Sequence, residues 1–68
     1  MSSLKITVNG EARETQAQTL AELCAALGYS ELKVATAING AFVPKTRRAE
    51  TPLRAEDRIE IVAPRQGG

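Results

Sequence analysis

Apolar and polar residues alternate at the start of the chain. In "LKITV", Leu4, Ile6 and Val8 share one face of a strand at period two, and Lys5 and Thr7 share the other. Asn9-Gly10 supplies the pair of positive-φ residues that a type I′ turn requires, which predicts an antiparallel return over residues 11 to 15. The period then changes. In "TLAELCAALG", Thr19 and Glu22 have the spacing of a capping box. Leu20, Leu23, Cys24 and Leu27 repeat at i, i+3, i+4 and i+7, and Gly28 stands at the C′ position of a short amphipathic helix. Its apolar stripe needs a surface of matching size, and the apolar face of the sheet is the one available.

"VATAI" (34–38) alternates again, with Val34 and Ile38 read as inward; Ala35 and Ala37 are the alternative inward pair if the helix approaches closely. Asn39-Gly40 predicts a second hairpin into "AFV" (41–43), and Pro44 ends that ladder. Residues 45–57 read as a loop with one short turn, anchored by Leu53, in which Arg47 and Arg48 are solvated. "RIEIV" is the last strand, with Ile59 and Ile61 inward. The order ββαβββ predicts an α+β fold in which a mixed, mostly antiparallel sheet packs on one helix.

Composition narrows the chemistry. A chain of 68 residues folds as one domain and buries about 60% of the surface its unfolded form exposes, so few core positions can be spared. Nine basic and eight acidic residues are interspersed, which implies neither nucleic acid nor an anionic membrane as partner. Tyr29 and Phe42 are the only aromatics, too few for base stacking; with Leu53 they are read as shared out along the core margins. The absence of histidine removes Cys-His and Ser-His catalysis, no metal-ligand cluster is evident, and no catalytic or metal site is assigned. The single Cys24 lies in the helical apolar stripe and reads as a packing residue. A lone cysteine, with neither a signal peptide nor a transmembrane span expected, fits a cytoplasmic protein. The two Asn-Gly pairs are read as turn chemistry alone.

The remaining feature is "APRQGG" (63–68), directly after the last strand. In isolation a Gly-Gly end is commonly just a frayed terminus. Here it completes a pattern. "KITVNGE", "TLAELCAALG", "VATAINGAFVPK", "TPLRAEDRIEIV" and the final Gly-Gly, in that order, resemble the ThiS family of ubiquitin-like β-grasp sulfur carriers of thiamine biosynthesis.

The resemblance implies a β-grasp domain over residues 1–63 and a flexible tail over 64–68. It also implies that the Gly68 carboxylate is adenylated and becomes a thiocarboxylate, with Gly67, Gln66 and Arg65 threading the tail into a partner. No cofactor is bound by the carrier itself; ATP is used by the activating partner. The implied partners are an adenylating ThiF-like enzyme, a ThiG-like thiazole synthase, and a cysteine desulfurase or other persulfide donor. The same fold and tail also serve molybdopterin synthase, tRNA thiolation and cysteine synthesis, and ubiquitin-like modifiers joined to lysines; an inert binding module is a further alternative. Two positions depart from the family pattern. Glu56-Asp57 stands where Gly-Asp is common, so a different turn conformation is expected, and Arg48 replaces a frequent aromatic. Both departures are expected to bear on partner contacts more than on the fold.

Overall fold

The computed structural model describes residues 3–29 and 33–63. Strands β1 (Leu4–Val8) and β2 (Glu11–Thr15) are followed by helix α1 (Leu20–Ala26). Strands β3 (Ala35–Ile38) and β4 (Ala41–Val43), a 3₁₀ helix (Lys45–Glu50) and strand β5 (Arg58–Val62) complete the order. The sheet order is β2-β1-β5-β3-β4. Both hairpins are antiparallel, β5 runs antiparallel to β3 and parallel to β1, and the arrangement is a ubiquitin-like β-grasp.

Each hairpin is closed as its residues require, with Asn9 and Gly10 at φ 51° and 86°, and Asn39 and Gly40 at 52° and 86°. The helix starts at Thr19, whose side chain accepts from the Glu22 N–H at 3.2 Å. The reciprocal half of the capping box is displaced by one residue: Glu22 Oε1 accepts from the Gln18 N–H at 2.8 Å. At the other end Gly28 has φ 87°, the Gly28 N–H donates to Ala25 O and the Tyr29 N–H to Cys24 O, the two bonds of a Schellman motif.

Leu20, Leu23 and Cys24 bury their stripe against Ile6, Val8, Val43, Leu53, Ile59 and Ile61, with Leu4, Leu27, Tyr29, Val34 and Ile38 at the margin. Val34 and Ile38 therefore face inward, as expected, and Ala35 faces solvent. Between them Thr36 is buried. Its hydroxyl donates to Val43 O at 2.8 Å and accepts from Arg48 Nε at 3.0 Å, while Arg48 Nη2 donates to Val34 O.

Arg48 thus corrects the expectation of a solvated loop. It is buried and ties the 3₁₀ helix to the start of β3, so its departure from the family pattern bears on the fold itself. Arg47 is exposed and pairs with Glu50 at 3.2 Å. Phe42 is a second correction: it lies opposite Ala37, both on the outer face of the sheet, and is 69% exposed.

Asn9 and Asn39 carry more than turn chemistry. Because β1 is parallel to β5 and β3 is antiparallel to it, the turns that follow these two strands lie at opposite ends of β5. At the start of β5, the Asn39 N–H donates to Arg58 O at 2.7 Å and Asn39 Oδ1 accepts from the Arg58 N–H at 2.9 Å. Asn39 Nδ2 also donates to Asp57 Oδ1 at 3.0 Å. Toward the far end, the Asn9 N–H donates to Ile59 O at 2.9 Å. The Asn9 carboxamide then supplies the next rung, with Oδ1 accepting from the Ile61 N–H at 2.9 Å and Nδ2 donating to Ile61 O at 3.0 Å.

The 54–57 turn keeps the glycine-type conformation despite its sequence, which overturns the expectation of a different backbone. Glu56 has φ 72°, the Asp57 N–H donates to Arg54 O at 3.2 Å, and Asp57 Oδ2 accepts from the Arg54 N–H at 2.8 Å. A left-handed residue with a Cβ costs roughly 1–2 kcal/mol, of which glycine would return about 0.5–1 kcal/mol as chain entropy. Glu56→Gly is therefore expected to stabilise the fold by about 0.5–1 kcal/mol. Urea unfolding reads this as a raised midpoint; a lowered midpoint contradicts it.

Candidate functional site

Gly68, Gly67, Gln66 and Arg65, the site residues expected from the sequence, lie outside the described residues, as does Pro64. What the structure places is the base from which they continue. β5 is the middle strand of the sheet, with Ile59 and Ile61 buried and Arg58, Glu60 and Val62 facing outward. Val62 pairs with Ala35 at the start of β3, and an apolar groove lined by Lys33, Val34, Ala35 and Val62 runs beside this end of the strand.

The outer face next to that groove carries two exposed apolar side chains beside the charged Glu60. Val62 is 63% exposed, and Phe42 lies on the same face beyond Ala35 and Ala37. Two large apolar side chains held against water beside the end of the last strand offer a contact surface.

Behind the base, Arg48 secures the neighbouring strand through Val34 O and Thr36 Oγ1. Among the described residues every buried side-chain nitrogen and oxygen has a hydrogen-bond partner. No group of three His, Cys, Asp or Glu able to hold a metal occurs among them, and no helix there is long and apolar enough to cross a membrane.

The chain matches the ThiS family over residues 6–68. The chain belongs to the ThiS family. A crystal structure of the thiamine biosynthesis protein ThiS from Geobacter metallireducens superposes on this ThiS-family chain with a TM-score of 0.78 at 25% identity. The match covers 96% of this chain and 100% of that one. Among curated proteins none matches in sequence.

The features that reading by periodicity missed are the side-chain grips of Asn9 and Asn39 and the buried Arg48–Thr36 pair. The sequence signal at both grips is the Asn-Gly pair itself. That signal reaches only as far as the turn: Asn-Gly is what a type I′ turn selects, and the partners of the two carboxamides lie 52 and 18–19 residues away.

Cys24, the one thiol, is buried, and desolvation raises its pKa above the ordinary 9.0, with the Arg48 guanidinium opposing less strongly. The folded thiol thus keeps its proton to higher pH than the unfolded one. Its contribution to stability is full below pH 9.0 and is lost as pH climbs through the raised folded value. At pH 8 the native chain is expected to react with iodoacetamide more than about tenfold more slowly than the denatured chain. Equal rates would mark Cys24 as accessible and chemically available.

Proposed function

We propose that the chain is a sulfur carrier for thiazole formation in thiamine biosynthesis, whose reactive group is the Gly68 carboxylate and which catalyses nothing itself. The observation that supports this reading most strongly is family membership over residues 6–68, a match that runs through the Gly-Gly end. The ThiS protein of G. metallireducens is a thiamine biosynthesis protein, and the likeness to it spans nearly the whole chain.

The chemistry follows from an obstacle. A terminal carboxylate has a reference pKa of about 3.3–3.7, so near neutrality it is ionised and a poor acyl donor. A ThiF-like partner overcomes this with ATP. A carboxylate oxygen bonds to the α-phosphorus, pyrophosphate leaves, and the acyl-adenylate has AMP as its leaving group. The terminal sulfur of a cysteine persulfide, supplied by a desulfurase, then bonds to the carbonyl carbon, and AMP departs with the C–O electron pair. A second thiol takes the other sulfur of the resulting acyl disulfide and releases the thiocarboxylate. That soft nucleophile gives its sulfur to the thiazole precursor on a ThiG-like synthase.

The residue types of the tail suit this work. Residues 64–68 fully extended reach about 16–18 Å, far enough to enter a site too narrow for the domain. Glycines at 67 and 68 leave the reacting carbon unhindered and free to take dihedrals that other residues avoid. Arg65 adds a positive charge suited to an acidic groove. Phe42 and Val62, exposed on the outer face of the sheet, give a partner its hold on the body.

Intact mass after incubation with the cognate adenylating enzyme, ATP and a persulfide source tests this. The expected product is the chain with one oxygen replaced by sulfur. Conjugates to lysines of other proteins instead would mark a modifier. Deletion of Gly68 is expected to leave the circular dichroism spectrum and melting temperature unchanged and to abolish the mass shift, because the reacting group is withdrawn by about 3.5 Å. Normal conversion of the truncated chain contradicts the proposal.

A further inference from the structure

The two asparagine grips on β5 differ in one respect that bears on the tail. Asn39 holds Asp57 and Arg58, at the end of the strand far from residue 68. Asn9 holds both backbone groups of Ile61, one residue before the strand ends. On the β1 side, backbone pairing of β1 with β5 reaches only Val8↔Ile59 and the Asn9 N–H to Ile59 O bond. Past that point the β1 chain has turned away at Asn9-Gly10, and the Asn9 carboxamide takes the place of a peptide group, one donor and one acceptor in a plane. With it, the end of β5 is gripped from both sides, by Asn9 at Ile61 and by Ala35 opposite Val62. Without it, only the β3 side remains.

We infer that Asn9 is a positioning residue for activation of the tail. By completing the ladder at Ile61 it holds the end of β5, the base from which the chain continues toward Gly68. This rests on the carrier reading above. A partner that docks on the body must find the terminal carboxylate at one place relative to that body. Each residue released from the ladder adds its ordering entropy to the cost of docking. That cost falls on forming the complex, not on the chemistry within it, so it raises KM and leaves kcat alone.

The test exploits the second turn as an internal control. Asn9→Gly and Asn39→Gly each keep the positive φ of the turn and each remove two side-chain hydrogen bonds to the β5 segment. A purely structural role moves the two alike. Steady-state formation of the thiocarboxylate by the cognate adenylating enzyme, ATP and a persulfide source is measured on the full-length chains. The assay is run at a temperature where circular dichroism shows each to be folded.

Asn9→Gly is expected to raise KM for the carrier about tenfold with kcat within about twofold of wild type, and Asn39→Gly to leave both within about twofold. Asn9→Asp keeps the acceptor but turns an oxygen toward Ile61 O. It is expected to raise KM in the same direction and provides the reading should Asn9→Gly not fold. Equal KM changes in the Asn9 and Asn39 variants, or none in either Asn9 variant, overturn the inference while the carrier reading stands. A wild-type chain that is not converted overturns the carrier reading, and the inference with it.

Discussion

The constraint on which this small domain depends is that its last strand is also its middle strand. A strand paired on both sides must have its N–H and C=O groups satisfied along both edges, or bear the cost of buried polar groups without partners. Neither neighbour overlaps β5 along its whole length: β1 pairs with it over two residues, and β3 over four. The deficit is met by two carboxamides: Asn9 stands in for a peptide group at Ile61, and Asn39 accepts from the Arg58 N–H and donates to the Asp57 carboxylate. The topology makes this economical. One neighbour is parallel and the other antiparallel, so the same type I′ turn, used twice, delivers an asparagine to each end of β5.

The side-chain bonds that grip β5 each contribute on the order of 1 kcal/mol net, which together is a substantial share of the roughly 5–15 kcal/mol that holds a domain folded. The Thr36–Arg48 arrangement follows the same logic one strand over. A hydroxyl in the core is tolerable when it is bonded twice, and Arg48 both bonds it and reaches Val34 O. The outcome is a body that places polar groups deep in the sheet and still leaves none of the buried side-chain atoms among the described residues without a partner.

Much of this was legible in the sequence because it is periodic or local. The inward sets Leu4/Ile6/Val8 and Ile59/Ile61, the helical stripe, the Thr19 cap, the Gly28 stop and both Asn-Gly turns depend on neighbours a few residues apart. What was not legible depends on topology. The Asn9–Ile61 bonds join residues 52 apart, and nothing in "VNGE" says which strand will lie beside it. Arg48 reads as solvated in a charged stretch because its partners, Thr36 and Val34 O, lie 12 and 14 residues away, in and just before β3. Phe42 reads as a core-margin residue because a strand of three residues gives alternation too little length to assign its face. Glu56 shows a tertiary requirement overriding local preference: the turn into β5 takes its positive φ with the residue it has. For the site, the expectation of Gly68 and its neighbours comes from the family resemblance and lies outside the described residues; the structure supplied how the end of β5 before them is held.

The carrier reading proposed above asks for a body that does not yield beneath a terminal group that other enzymes reshape, and so for a β5 that is intact to its end. Native-state amide hydrogen exchange measures this directly. The N–H groups of Arg58 and Ile61, bonded to side chains, are predicted to exchange through the same global opening as the N–H groups of Asn9 and Asn39, bonded to backbone. Exchange at Ile61 that is orders of magnitude faster, with the rest of the sheet protected, would show a strand that frays before its last rung and would contradict the account.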